Sequence, residues 1–426
     1  MNPRHMRPTL RVALALAPAM AALHPLPAGA QTVAYTGATV WDGTGAPALE
    51  GATLLVRDGR VVSLGTEAPP SDARVVELAG RWIIPGLVDA HAHVTGQWAP
   101  EGVEGARERV EADLLLFARY GVTTVNSLGG EPPEAFAVRD AQASPRLARA
   151  RLHLAGPVIT AATEAEARAA VAVNAQAGVD WIKIRVDDNL GTTAKMPWEA
   201  VHGVLDEAHR RGLRAATHLF YLDDAKRLLR EGSDMVAHSI RDRDVDAELL
   251  DLLRERGVCT VPTLTREVST FVYARRPDFF DDPFFLRWGD RREMARVTAP
   301  AFRDEMARSP AAARYREALL QAQRNLKAVA DAGLPVAMGT DAGPPARFPG
   351  YFEHMELSLM AEAGLAPAQI LYSATGGAAA CLGLEDVGTL QAGRWADFLV
   401  MDADPLADVA NTRSLTRVYV AGNEIR

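Results

Sequence analysis

Short apolar runs recur through the middle of the chain, each followed by a longer stretch in which apolar positions return every three or four residues. Eight such runs stand at 86–91, 121–127, 151–159, 181–186, 214–220, 235–240, 258–264 and 335–341, and helical patterns at 164–177, 197–211, 223–231 and 247–256 separate several of them. Apolar strands alternating with amphipathic helices predict parallel β/α units, and eight such units predict an α/β fold of the (β/α)8 barrel type. The two ends of the chain differ. Residues 33–40, 52–56, 60–64 and 74–78 read as short strands broken by Gly and Pro, with Asp58-Gly59 as a hairpin turn. The stretch 388–426 has the same character, with strand-like runs at 397–401 and 417–420 and a turn at Ala421-Gly422-Asn423.

Ahead of these elements, Arg4, Arg7 and Arg11 precede an apolar run from Val12 to Leu23 that contains Pro18, and Ala28-Gly29-Ala30 follows. A basic start, a short apolar stretch and small residues at the exit predict a signal peptide over residues 1–30, and hence a protein exported to the periplasm or secreted. The run is too short for a membrane span, which takes roughly 20 residues. Residues 1–30 hold three arginines and no acid, so the remainder carries 43 Lys+Arg against 54 Asp+Glu. That acidic balance argues against nucleic acid or an anionic membrane surface as a partner and leaves a small-molecule substrate. Only Cys259 and Cys381 occur. One disulfide is permitted, and two buried free thiols are the expectation.

The chemistry-bearing residues fall at the ends of the apolar runs. His91 and His93 alternate with Ala92, so on a strand both imidazoles face one way and can hold a single cation. In the fourth run Ile182, Ile184 and Val186 share one face and suit the helix layer, which turns Lys183 and Arg185 toward the barrel interior. An interior ammonium needs a partner. His218, His238 and Asp341 end three later runs, and catalytic groups of a β/α barrel sit at these C-terminal strand ends. A Gly-x-Ser-x-Gly nucleophile motif is absent from the sequence.

With these residues in order, the chain resembles the amidohydrolase superfamily, in the metal-dependent branch related to imidazolonepropionase and the binuclear Xaa-Pro dipeptidases. The resemblance rests on Ile84-Pro-Gly-Leu-Val-Asp-Ala-His-Ala-His93, Gly121-Val-Thr-Thr-Val125, Asp180-Trp-Ile-Lys183, Gly339-Thr-Asp341, Ala374-Thr375 and Gly388-Thr-Leu-Gln-Ala-Gly-Arg-Trp-Ala-Asp397. It implies a barrel over 83–384 and a small β-sandwich assembled from 31–82 and 385–426. It also implies two divalent metal ions, with Zn expected and Mn, Co or Fe acceptable to the same ligands. His91, His93 and Asp341 would hold one ion, His218 and His238 the other, and a CO2-derived carbamate on Lys183 would bridge them. A hydroxide between the metals would attack an amide of the Xaa-Pro dipeptide or N-acyl amino acid type, and Asp341 would move the proton. The same site accommodates a lactone, carbamate or phosphoester, or the ring opening of a mononuclear imidazolonepropionase. A non-catalytic scaffold is disfavoured because all six ligand positions are filled. Lys183, and the absence of an acid in His218-Leu-Phe-Tyr221, favour the binuclear hydrolases. Where that branch often carries Arg-Asp after the second strand, Asn126-Ser127 stands here.

Three further residues are candidates for substrate contact. Arg185 could grip a carboxylate or pair with Asp187 or Asp188, Tyr221 could donate to substrate or pack, and His354 could line the pocket or sit on a helix surface. Residues 266–324 form a long aromatic insertion holding Phe271, Tyr273, Phe279, Phe280, Phe284, Phe285 and Trp288. It is expected either as a lid or specificity wall, or as packing on the barrel's outside or at a homo-oligomer contact. On expression with its leader, the mature chain is predicted to begin at Gln31; an N-terminus still at residue 1 in the exported fraction would refute the leader assignment.

Overall fold

The structure is a computed structural model that describes residues 31–426, so the leader lies outside the described residues. Among those described, no helix is long and apolar enough to cross a membrane. The N-terminal strands are β1 (Val33–Val40), β2 (Leu49–Arg57), β3 (Arg60–Gly65), β4 (Arg74–Glu77) and β5 (Trp82–Pro85). The central strands are β6 (Leu87–Ala92), β7 (Val122–Ser127), β8 (Arg151–Leu154), β9 (Trp181–Arg185), β10 (Arg214–His218), β11 (Met235–Ala237) and β12 (Cys259–Val261). Last come β13 (Phe398–Met401), β14 (Leu415–Val420) and β15 (Asn423–Glu424).

Both chain ends meet, as expected, in one hydrogen-bonded set of eight strands ordered β15-β14-β13-β5-β1-β2-β3, with β4 also on β1. The sheet forks at β1. Val33–Thr36 pairs in parallel with β4, whereas Thr39 and Val40 pair with β5. Gly37 allows the change of partner: its φ is +81°, and a Cβ there would come within 3.3 Å of the Ala79 backbone. Phe398 and Tyr419 stack at 4.4 Å, and Tyr35 meets both edge-on, giving this sheet a core of its own.

The central strands form two all-parallel arcs, β6-β7-β8 and β9-β10-β11-β12. An isolated bridge from Ile159 to Ile184 joins them on one side. On the other side, the eighth predicted run makes one bridge to β12 at Thr260–Val336 and then bonds to β6 through Ala90 N to Met338 O (2.9 Å) and Asp341 N to His91 O (2.6 Å). It is no regular strand, so continuous ladders do not close into one ring. Gly339 lets the segment approach β6 closely, since a Cβ there would lie 2.4 Å from Val261 and 2.9 Å from His91 N, and the ladder ends where Asp341 turns left-handed with φ +59° and its N–H and that of Thr340 both donate to His91 O.

The predicted helices occur at Glu164–Ala177, Trp198–Arg210, Leu222–Glu231 and Ala247–Arg256. Thr163 and Asp246 cap two of them by accepting a backbone N–H, and left-handed Gly178, Gly232 and Gly257 end three. Strand parity is as the sequence implies. Ile182, Ile184 and Val186 pack into the helix layer, while Trp181 joins Val88, Ala90, Ala216, Met235, Ala237 and Val261 in the interior. Lys183 is buried.

The aromatic insertion packs into the body of the protein. Phe279, Phe280 and Phe285 interleave with Phe348 and Tyr351, and the Tyr273 hydroxyl donates to Ala346 O at 2.6 Å. Its rings therefore brace the segment that follows Asp341. The expectation of two free thiols is overturned: Cys259 and Cys381 form a disulfide that joins the first residue of β12 to the helix Gly376–Leu382 across a sequence separation of 122. Sequence spacing alone does not reveal that proximity. Closing so long a loop restricts the unfolded chain, so reduction or Cys259→Ser is predicted to lower unfolding free energy by about 2–4 kcal/mol. Urea titrations with and without reductant measure this, and coincident curves would refute it.

Candidate metal centre

His91 lies on β6 and His93 just past its end, and both are fixed from behind. The Asp89 carboxylate, fully buried, accepts from His91 N at 2.8 Å through one oxygen and from the Thr340 hydroxyl at 2.6 Å through the other. The His93 ring places Nδ1 2.6 Å from Gly129 O, which fixes the ring from behind and turns Nε2 inward. Three non-glycine residues at neighbouring strand ends, His238 (φ +140°), Thr263 (φ +51°) and Asp341 (φ +59°), hold positive φ. Such backbone is costly and persists where surrounding contacts over-determine it, which is common at functional sites.

The side chains converge. His93 Nε2 lies 2.7 Å and His91 Nε2 3.5 Å from Asp341 Oδ1, and Lys183 Nζ lies 3.1 Å from His91 Nε2. One donor atom from each of His91, His93 and Asp341 falls within 4.8 Å of the others, a candidate metal site. The His238 ring centroid stands 4.6 Å from that of His91 and 4.1 Å from that of His218. All six sequence-predicted ligand residues thus share one cluster.

Electrostatics prepare these groups to receive cations. Burial, reinforced by the Lys183 charge, holds His91 well below the ordinary histidine range. Burial likewise lowers His238, and brings His218 to about 3 although Asp187 opposes the shift. Neutral imidazole is the form that binds a metal. Burial works against ionising Asp341, but the Arg347 guanidinium and the His93 hydrogen bond outweigh it, so its carboxyl lies well below the usual range. Burial also brings Lys183 down to about 7. Four neutral or near-neutral nitrogens around an anionic carboxylate, with His91 Nδ1 buried and unbonded among the described residues, fit a divalent cation of the N/O-preferring kind.

The sequence missed four supports of this cluster. Arg347 bonds Asp341, Thr263 Oγ1 lies 2.6 Å from His238 Nδ1, Gly129 O meets His93, and Asp187 Oδ2 lies 2.9 Å from His218 Nε2. Asp187 was visible only as a partner for Arg185. None of the four belongs to a recurring spacing, and only the strand-end position of Thr263 offered a signal.

The candidate substrate contacts divide. Arg185 is 41% exposed at the end of β9, 3.2 Å from Asn189 Oδ1 and 3.9 Å from Asp187. It lines, with Asp187, Lys195 and Met196, a cavity of about 610 Å³ beside the cluster. The Tyr221 hydroxyl donates to Asp188 at 2.9 Å, and Lys195 sits over its ring. His354 is elsewhere, contrary to its candidacy as a pocket residue. It is buried with Nε2 2.7 Å from Tyr120 O and Nδ1 3.0 Å from Thr412 Oγ1, because the helix Tyr351–Glu362 turns this face toward the body.

Comparison with known proteins adds a family. The Amidohydrolase family profile matches residues 82–425. An uncharacterized protein of Mycobacterium tuberculosis is 29% identical over 318 residues, covering 71% of this chain and 74% of its own. The imidazolonepropionase of Deinococcus radiodurans is 26% identical over 401 residues, covering 88% and 92%. Among solved structures, a Xaa-Pro dipeptidase with methionine bound in its active site superposes with a TM-score of 0.73 at 21% identity, covering 93% of this chain and all of the other, a likeness of fold.

Burial lowers His354 from 6.5 to about 4. Between those values the unfolded chain binds a proton at this position and the native protein does not, so stability falls as pH drops through the window. His354→Leu is predicted to be less stable at neutral pH but to lose up to one proton of this dependence, a share of about 3 kcal/mol at most. Unfolding free energies measured across the window test it, and an unchanged slope would place the histidine in solvent.

Proposed function

Because the chain belongs to the amidohydrolase family, we propose that it is an exported hydrolase of carbon–nitrogen bonds that works with two divalent metal ions. The convergence of His91, His93, Lys183, His218, His238 and Asp341 is the observation that supports this reading most. The two parallel arcs and the segment 335–341 are read as eight units of one barrel, whose C-terminal strand ends carry the chemistry. His91, His93 and Asp341 would hold one ion, His218 and His238 the second, with Lys183 joining them as its carbamate. When bound, such ions activate water and polarise the substrate carbonyl.

The remaining steps belong to the chain. Asp341, kept anionic by Arg347 and oriented by His93, takes the proton from the attacking water and passes it to the departing amine nitrogen, so that no proton is left on the site. Thr263 and Asp187 fix the rings of His238 and His218. The small-molecule substrate is an amide of the Xaa-Pro dipeptide or N-acyl amino acid type. The cavity bearing Arg185, with Tyr221 tied to the adjacent Asp188, is its approach.

Protein purified without chelator is predicted to hold about two metal ions per chain, rising with bicarbonate. Asp341→Asn is predicted to lose at least about 100-fold in amide hydrolysis while keeping its fold. Elemental analysis and an amide panel check both. One metal ion in either condition removes Lys183 from the ligand set, and unchanged turnover in the variant overturns the role of Asp341.

A further inference from the structure

Two arginines stand beside the candidate metal cluster with hydrogen-bond donors that their surroundings do not meet. Arg241 lies three residues beyond His238, and Arg266 opens the segment after β12, in the helix Leu264–Val268. Their side chains are 0% and 8% exposed. A single carboxylate, Glu267, faces both: Arg241 Nε lies 3.3 Å from its Oε1, and Arg266 Nη1 lies 3.1 Å from each oxygen. Asp187 and Asp341 also act on the pair, but Asp187 is engaged by His218 and Asn189 N, and Asp341 by His93 and Arg347. Glu267 is therefore the one carboxylate that the two guanidiniums share at close range.

Their hydrogen bonds are incomplete as well. Arg241 Nη1 donates to Ser239 O, but Arg241 Nε and Nη2 and Arg266 Nε, all buried, have no hydrogen-bond partner among the described residues. Buried guanidinium groups are normally paired, and an unsatisfied donor in an apolar setting is costly. The setting here is apolar. Arg241 lies 4.8 Å from the Phe220 ring and Arg266 4.7 Å from Tyr315, in a cluster that Phe271 and Tyr221 adjoin. Phe220 follows His218 by two residues, so the pair borders the His218 and His238 side of the centre.

We propose that Arg241 and Arg266 bind the carboxylate of the substrate and thereby restrict the enzyme to amides that carry a free carboxylate next to the bond cleaved. This rests on the hydrolase reading above. A planar fork of donors, three of whose nitrogens are buried and unmet, matches a carboxylate in shape and in sign of charge. Arg185 is a weaker selector. It is half in solvent and is already answered by Asn189 and Asp187.

The test uses the full mature chain, metal-loaded as purified, with a panel of N-acetyl amino acids and their matched C-terminal amides. Wild type is expected to bind the acids at least about tenfold more tightly than the amides by calorimetry. Arg241→Met and Arg266→Met should erase that preference by weakening the acids while leaving the amides unchanged. Arg241→Lys and Arg266→Lys, which keep charge without the fork, should retain part of it, and they carry the test if the Met variants fail to fold. Absence of an acid preference in wild type, failure to bind either set, or equal weakening of acids and amides in the variants overturns the proposal. An arginine-dependent acid preference without cleavage of either set sustains the pair and sinks the amide-hydrolase reading. Equal cleavage of acids and amides sustains that reading and sinks the pair.

Discussion

One buried carboxylate joins the two strand ends on which the centre depends. Asp89 accepts from the His91 amide with one oxygen and from the Thr340 hydroxyl with the other, so the segment bearing two histidines and the segment bearing Asp341 share an anchor. The His91 carbonyl returns the link by accepting from both Thr340 N and Asp341 N. Without regular ladder pairing along 335–341, these bonds set where Asp341 stands. A buried carboxylate is stable only when its lone pairs are met, and here the same bonds that meet them also register the site.

From that anchor the support spreads outward. Arg347 closes on Asp341 from the following loop, and the loop is held by the insertion through the Tyr273 hydroxyl at Ala346 O and Glu293 at Ala346 N. The insertion's rings pack on Phe348 and Tyr351, so its aromatic content serves the position of a carboxylate rather than only a surface. Nearby, the buried Arg241 and Arg266 share Glu267 and keep donors unmet.

How much of this was legible depends on the kind of order involved. Period and parity are local, so His91, His93, Lys183 and the helices were readable from the sequence, including the inward turn of Lys183. Features set by the meeting of distant segments were not. The Cys259–Cys381 bridge, the Arg347 contact and the Asp187–His218 pair each need a third dimension. His354 misled because a position soon after the last strand resembles a pocket residue until the helix phase is known. The eighth strand misled because its apolar pattern persists up to Asp341, whose left-handed turn and shared acceptor at His91 O break the ladder. The fork of the terminal sheet was not legible because Gly37, one residue among alternating apolar positions, lets one edge of β1 pass from β4 to β5.

The sheet made from both chain ends also dictates a timetable. β5 pairs with β13 through Ile84 and Leu399, so one edge of the strands synthesised first is completed only by nearly the last. Contacts of such long sequence separation form late, because the chain between them must first be gathered. A nascent chain therefore keeps an unfinished edge at its front until translation is almost over. For a polypeptide whose proposed destination lies across a membrane, that delay prolongs the unfolded state in which it can be threaded through.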